Sequence, residues 1–423
     1  MSLTSAMYSG ISGIMAYGNA MNVTGDNIAN INTVGFKGNR SIFADILANQ
    51  VANGSTTLQF GRGAHLNGVT STFSQGSFET TGNATDVALQ GAGFFIVKDP
   101  TSGGKFYTRA GQFTISEQGK LVNPNKYTAQ GYRLTTNASG AVTKASASTD
   151  IDVTGVQSVP KATTTFRLGM NLNAAASAGA TFSSSFNAYN ALGETVTITY
   201  TFTKQLAGQT WRYVASGPAG TTLTAGTAVG GNDGLSGTMT FSSQGIMTAP
   251  AGDVGLNITG FPSGSGDLAI TWDIMNDTTG ALNNDITGYA AGSVMNSMVQ
   301  DGYSTGVLRG LSVSDDGIIS GLFSNGQTQQ MWQFELADFL SPWGLSRQGN
   351  SMFAETAQSG QPILGTAKAG GFGTIYGSSL ELSNVDLSQQ FVEMIQNQRA
   401  YQANSKIITT VDTMTQEVIN IVR

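Results

Sequence analysis

Apolar residues fall on two different periods along this chain. Between residues 4 and 33 they keep a helical beat: Met7, Ile14, Met21 and Ile28 lie seven apart, and Ile11 shares their face. Gly10, Gly13, Gly18 and Gly25 interrupt the segment, each costing a helix about 1 kcal/mol relative to Ala. Such a helix is marginal alone and needs a partner, which the glycines would admit at close range. From Asn30 to Gly38 the residues turn to Asn, Thr and Gly, which ends it. Residues 39–70 are mixed, with Ile42, Phe43, Ile46 and Leu47 as the apolar points, and predict an extended connector with one short helix or hairpin.

From about residue 71 the period becomes two. Val87–Val97 surrounds the turn Gly91-Ala92-Gly93, and Phe94–Val97 is a strand candidate. A local motif of strand, Gly turn and strand recurs: Phe113-Thr-Ile115 before Gln118-Gly119, Phe241 before Gln244-Gly245, and Leu311-Ser-Val313 before Asp316-Gly317. The irregular spacing of the copies argues for a hairpin habit rather than a solenoid. Residues 136–160, rich in Ser, Thr and Ala, predict a crossing between domains. Val196–Phe202 then alternates strictly, with Trp211–Val214 as a partner strand and Ile270–Ile274 as another alternating run. Residues 215–236 read as loose, and Asp285–Gly302 as a second crossing. After it the β habit returns, with a hairpin turn at Asn325-Gly326.

The helical period reappears at the end of the chain, in Leu387, Phe391, Met394, Tyr401, Ile407, Val411, Met414 and Val418. This helix should begin near Asp386, with Ser383 and Asn384 as candidate caps. It holds neither Gly nor Pro through Val422, so it should be the more autonomous of the two. The weaker N-terminal helix is expected to order when neighbouring subunits supply its partners. The fold class is therefore α+β, mostly β, with nested β domains between N- and C-terminal helices that pair into a coiled-coil-like inner domain. The expected boundaries are 1–33 with 384–423 for the helices, 34–70 for the connector, 71–145 with 285–377 for a discontinuous β domain, and 146–284 for an inserted β domain.

Composition sharpens the picture. Charged residues make up 11% of the 423, and Gly contributes 55, against about 25% and 7% in ordinary soluble domains. A chain with so little charge to hold copies apart is suited to contact with them. The net charge is −6 and no basic patch is visible, which argues against nucleic acid. No run reaches the roughly 18 apolar residues of a membrane span, so no membrane insertion is expected. The N-terminus has no basic residue before Lys37 and lacks the pattern of a cleaved signal peptide.

Candidate chemistry is thin. With no cysteine, thiol nucleophiles and Cys-ligated metals are excluded. The single histidine, His65, lies among glycines and reads as a loop or surface residue. Gly91-Ala92-Gly93 and Gly103-Gly104-Lys105 lack the further residues of nucleotide-binding loops. Asp315-Asp316-Gly317 lacks the later ligands of a calcium loop and reads as a turn. No catalytic residue, cofactor or metal is expected. The apolar faces of the terminal helices point instead to packing between copies of the chain.

Specific residues then match a family. Gly25–Lys37, with Asn27, Asn30, Gly35 and Phe36, resembles the N-terminal signature of the bacterial flagellar rod, hook and hook-associated proteins. Leu380–Leu387, with Asn384 and Asp386, followed by Gln398–Asn404, resembles their C-terminal signature. Leu89–Ile96 and Tyr107–Phe113 are similar to the family's central β motif. The length, the inserted segment and Phe339–Leu345 match the hook members rather than the shorter rod members, although Ser341 stands where Asn is usual and Gln390 where many relatives carry an acid. The resemblance implies a tubular homopolymer outside the cell, exported by the flagellar type III apparatus, whose terminal helices line a channel. It implies contacts with the distal rod protein, the hook cap and the hook–filament junction proteins. A distal rod or junction role and a secreted cell-wall hydrolase are the alternatives.

Overall fold

The computed structural model describes residues 3–47, 49–53, 56–136, 141–206, 208–226, 232–275 and 281–421. It divides into two compact units. The first takes residues 1–155, 310–322 and 328–423, and the second residues 156–309 and 323–327.

The first unit holds both long helices, α1 (Leu3–Ala29) and α2 (Leu387–Ile421). Val422 lies outside the described residues. At about 1.5 Å per residue, α2 is roughly 52 Å long. Asp386 caps it, with Oδ1 accepting from the backbone N–H groups of Ser388 (2.8 Å) and Gln389 (3.3 Å). Ser383 and Asn384, the expected caps, do not serve there. The Asn384 side chain reaches instead to segments more than 300 residues away.

Beyond α1 the chain forms a long hairpin, so the connector takes the hairpin alternative. Asn39–Asp45 pairs antiparallel with Ala64–Ser71 through a bulge between Ile42 and Phe43, and Asn49–Asn53 pairs with Thr56–Phe60. His65 is exposed on the return strand. The β layer of this unit is organised by the strand Phe94–Lys98, whose side chains are buried as far as Val97. It pairs with Lys105–Thr108, Thr128–Thr136 and Leu336–Asp338. Phe94, Tyr107, Phe339 and Phe353 pack on one face of it, and Phe95 meets Phe113 and Phe334 edge-on at 5.8 and 5.6 Å on the other. Val87–Gln90 pairs with Thr374–Gly377, so the Gly91–Gly93 turn hands the chain from one sheet to another. The three Gly-turn motifs are hairpins, with Gly119, Gly245 and Gly317 at φ between +72° and +76°.

The second unit is a sandwich. One sheet runs Thr181–Tyr189, Thr195–Lys204, Thr210–Ser216, Ser236–Phe241 and Met247–Ala249, each pairing antiparallel with the next. The alternation read at Val196–Phe202 is visible as buried residues at every second position. The other sheet is built around Thr165–Asn171, Val254–Thr259 and Leu268–Trp272. Phe166, Tyr200, Phe202, Trp211 and Trp272 lie between the sheets, with Trp272 5.0 Å from Tyr200 and Phe166 stacked 4.4 Å from Phe186. Each such side chain contributes about 1.5–3 kcal/mol on burial.

Three expectations change here. Residues 285–309 group with the second unit, because Val294–Gln300 pairs with Phe166–Asn171. Residues 146–155 stay with the first unit, because Val142–Asp150 pairs with Thr128–Thr136. Within the supposedly loose stretch 215–236, Thr222–Ala225 is a strand paired with Val254–Thr259.

Candidate functional site

The site begins with how α1 meets α2. The buried positions of α1 are Gly10, Gly13, Ala16, Ala20, Thr24 and Asn27, three or four residues apart along one seam of small side chains. The helices run antiparallel. A Cβ at Gly10 would lie 3.2 Å from Ile408 Cγ1 and 3.3 Å from the Asn404 carbonyl, and one at Gly13 would lie 2.7 Å from the Asn404 amide. At both positions the helices approach so closely that α2 would have to give way to a Cβ. Gly18 and Gly25 are different, since a Cβ there would meet nothing within 4 Å.

The facing seam of α2 is mostly polar. Gln390, Asn397 and Asn404 lie seven apart, followed by the buried Val411. Asn27 Nδ2 donates to Gln390 Oε1 at 2.9 Å, and Asn397 Nδ2 to Thr24 Oγ1 at 3.5 Å. Sequence reasoning missed this amide seam as an intrachain interface. Its signal was the seven-residue spacing of amides, which on a helix otherwise reads as solvated surface. The weak helix thus finds its partner within its own chain, a change from the expectation that neighbouring copies would have to supply it.

Because α1 is held by that polar seam, most of the apolar face of α2 stays in solvent. Leu387, Phe391, Tyr401, Ile407, Met414 and Val418 are all exposed, Phe391 at 44% and Met414 at 52%. Met394 is half-buried and Val411 buried. On α1, Ile11 is exposed, and Met7, Ile14, Met21 and Ile28 are half-buried.

The base of the helix pair is anchored by a buried ionic knot that joins the three sequence signatures. Glu381 is fully buried, and Lys37 is 1% exposed. Lys37 Nζ donates to Glu381 Oε1 at 2.7 Å and to the Ser74 carbonyl at 2.8 Å. The Gly76 N–H donates to the same carboxylate oxygen at 3.0 Å. Arg109 approaches Glu381 Oε2 at 3.5 Å, donates to the Leu89 and Gly91 carbonyls at 3.2 and 2.6 Å, and lies over the Phe94 ring. Burial pushes Lys37 and Arg109 below their ordinary values, and the Glu381 charge opposes the shift at both. Gly35, at φ +66°, donates its N–H to the Glu381 carbonyl at 2.8 Å. A Cβ there would fall 2.4 Å from the Ala110 nitrogen, so no other residue fits.

Two asparagines complete the anchor. Buried Asn27 accepts from the Asn39 N–H at 2.8 Å and donates to the Asn39 carbonyl at 2.7 Å. Asn384 accepts from the Gly38 N–H at 2.8 Å and donates to the Thr72 carbonyl at 2.7 Å. Phe36 is buried under the Arg347 guanidinium, which donates to the Lys37 carbonyl at 2.8 Å. Asn30 acts locally, with Nδ2 on the Asp26 carbonyl at the end of α1.

A helix pair whose apolar side chains stand in solvent, clamped at its base to a β unit, is the build of a self-assembling structural subunit. Comparison with known proteins agrees. Residues 7–37 match the flagella basal body rod protein model, 88–164 the flagellar hook protein FlgE/F/G D1 domain, 163–303 the flagellar basal body protein FlaE D2 domain, and 377–421 the flagellar basal body rod FlgEFG protein C-terminal model. The chain is 30% identical to the flagellar hook protein FlgE of Borreliella burgdorferi, over 98% of this chain and 99% of that one. It is 32% identical to that of Salmonella typhimurium, over 97% and 98%. A solved structure, the Helicobacter pylori flagellar hook protein FlgE2, aligns with 72% of this chain and all of its own at 15% identity and a TM-score of 0.43. The chain belongs to the flagellar hook protein family, and its function is that of a structural subunit of the hook.

Proposed function

We propose that copies of this chain assemble into a curved tubular polymer in which the terminal helices of neighbouring copies pack side by side around a central export channel. Met7, Ile11, Ile14, Met21 and Ile28 of α1 would form the contacts between copies, with Leu387, Phe391, Met394, Tyr401, Ile407, Met414 and Val418 of α2; Val411, already buried within the single chain, would stay out of them. Residues 1–33 and 384–423 would form the inner tube, and the β units the outer layers. The polymer would serve as a flexible joint that carries torque from rod to filament. Its ends would meet the distal rod, hook cap and hook–filament junction proteins. The subunit would leave the cell through the flagellar type III apparatus and carry no enzymatic activity.

The observation that carries this reading is the exposed apolar face of α2, from Leu387 to Val418. Contiguous apolar surface of this kind marks an interaction site. Among the described residues no helix is long and apolar enough to cross a membrane, so a bilayer-spanning role does not account for it. No observation favours a cell-wall hydrolase.

Limited proteolysis of dispersed and polymerised protein tests the proposal. Cleavage within residues 1–30 and 385–423 should be slower in the polymer than in the dispersed chain, where the outer faces of α1 and α2 are exposed. Equal cleavage in both states would remove the helices from the contact.

A further inference from the structure

The first unit carries an open cleft of about 390 Å³ between the Phe94–Lys98/Lys105–Thr108 hairpin and the strand Val142–Asp150. Five of its eight lining residues are charged: Lys98, Lys105, Lys120, Asp150 and Asp152. In a chain with 11% charged residues this is a marked concentration.

Both carboxylates of the cleft are already engaged. Asp150 accepts from Lys120 Nζ at 2.7 Å and from the buried Gln130 amide at 2.8 Å. Asp152 accepts from the Thr154 N–H at 2.7 Å. Lys98 and Lys105 are not. They stand directly opposite one another on adjacent antiparallel strands, an arrangement of like charges that destabilises a sheet. The nearest acid in sequence, Asp99, is held within its own turn by the Thr101 N–H at 2.8 Å and the Ser102 hydroxyl at 2.6 Å. Among the described residues neither ammonium has an ion-pair partner.

We propose that Lys98 and Lys105 form a receptor for a carboxylate side chain of a second copy of this chain. The cross-strand repulsion is relieved when one anion sits between the two ammonium groups. The cleft has an excess of positive charge in a chain of net charge −6, so the complementary sign is plentiful on every neighbouring copy. The contact would be made by the β layer, apart from the helix faces. It rests on the reading of the chain as a homopolymer subunit.

The test uses full-length wild-type protein polymerised from a mixture of ¹⁴N- and ¹⁵N-labelled chains. A carbodiimide, which joins amines to carboxylates at zero length, is applied and the peptides are read by mass spectrometry. The expected product is a mixed-isotope link from Lys98 or Lys105 to an Asp or Glu of another copy. The double variant Lys98→Gln/Lys105→Gln should keep its circular dichroism and raise the concentration needed for polymerisation about five- to tenfold at low salt. That difference should narrow at high salt. Polymers in which both lysines form no intermolecular link, and stay as reactive to an amine reagent as in dispersed protein, overturn the inference but leave the polymer reading standing. Protection of the lysines in dispersed protein by millimolar inorganic phosphate, without intermolecular links in the polymer, also overturns it in favour of a free-anion site. Failure of wild-type protein to polymerise under any condition refutes the polymer reading itself.

Discussion

Replacing Lys37 with Met tests whether the ionic knot anchors the helix pair. The change keeps most of the side-chain volume and removes the ammonium. It leaves a fully buried Glu381 carboxylate with the Gly76 N–H at 3.0 Å and Arg109 at 3.5 Å. Breaking a buried pair by deleting one partner costs about 3–5 kcal/mol. The lower end applies because Arg109 remains, so the expected loss is about 3 kcal/mol, roughly a 150-fold change in the local opening equilibrium. Hydrogen exchange read by mass spectrometry should show residues 34–38 and 379–385 exchanging about 100-fold faster. Residues 195–204, in the other unit, should be unchanged and serve as the internal control. Combining it with Glu381→Gln should cost less than the sum of the two single losses, because both remove the same Lys37–Glu381 pair, with a coupling of about 1–3 kcal/mol. A Lys37→Met protein whose exchange at 34–38 stays within threefold of wild type, or a double variant whose losses simply add, would refute the argument.

Three further outcomes follow from the same geometry. Gly18→Ala should stabilise α1 by up to about 1 kcal/mol, since its Cβ enters open space, whereas Gly10→Val should loosen the helix pair because it meets the Asn404 backbone; the ellipticity at 222 nm during thermal unfolding separates them. Phe391→Asp with Met414→Asp should leave the unfolding of the dispersed chain unchanged but abolish tubes in electron micrographs, because both side chains are exposed in the single chain. Partial burial favours the neutral Asp301 carboxyl, but hydrogen bonds from Thr164 and Thr165 and the nearby Lys161 outweigh it and hold the group at about 2. With its folded value below the unfolded one of about 3.9, it adds stability above pH 4 that fades as pH falls toward 2. After allowance for solvent screening this is about 1 kcal/mol. Asp301→Asn should flatten the acid limb of urea unfolding followed by the buried Trp211 and Trp272.

What the sequence made legible depended on whether partners were near or far along the chain. The strict alternation at Val196–Phe202 and the turn glycines at 119, 245 and 317 concern neighbours within a hairpin, and they were readable. The apolar residues of α2 were readable as a stripe, but the amide seam that holds α1 was not, because amides seven apart on a helix otherwise pass for solvated surface. Asn384 looked like a helix cap because Asn is a frequent cap. Its true partners at Gly38 and Thr72 are remote in sequence and close only in the fold. The Lys37–Glu381 pair spans 344 residues, so no local pattern could announce it. Asp285–Gly302 was read as a crossing because its short apolar runs resemble a linker until Thr165–Asn171 supplies a strand to pair with.

The central claim is that the apolar faces of α1 and α2 are completed by other copies of the chain. A cryo-electron microscopy reconstruction of the polymer at side-chain resolution measures this directly. It should place the helices at the smallest radius, with Phe391, Tyr401, Ile407 and Met414 buried against helices of neighbouring subunits. A reconstruction with those side chains facing solvent, or with the helices on the outer surface, would contradict the account.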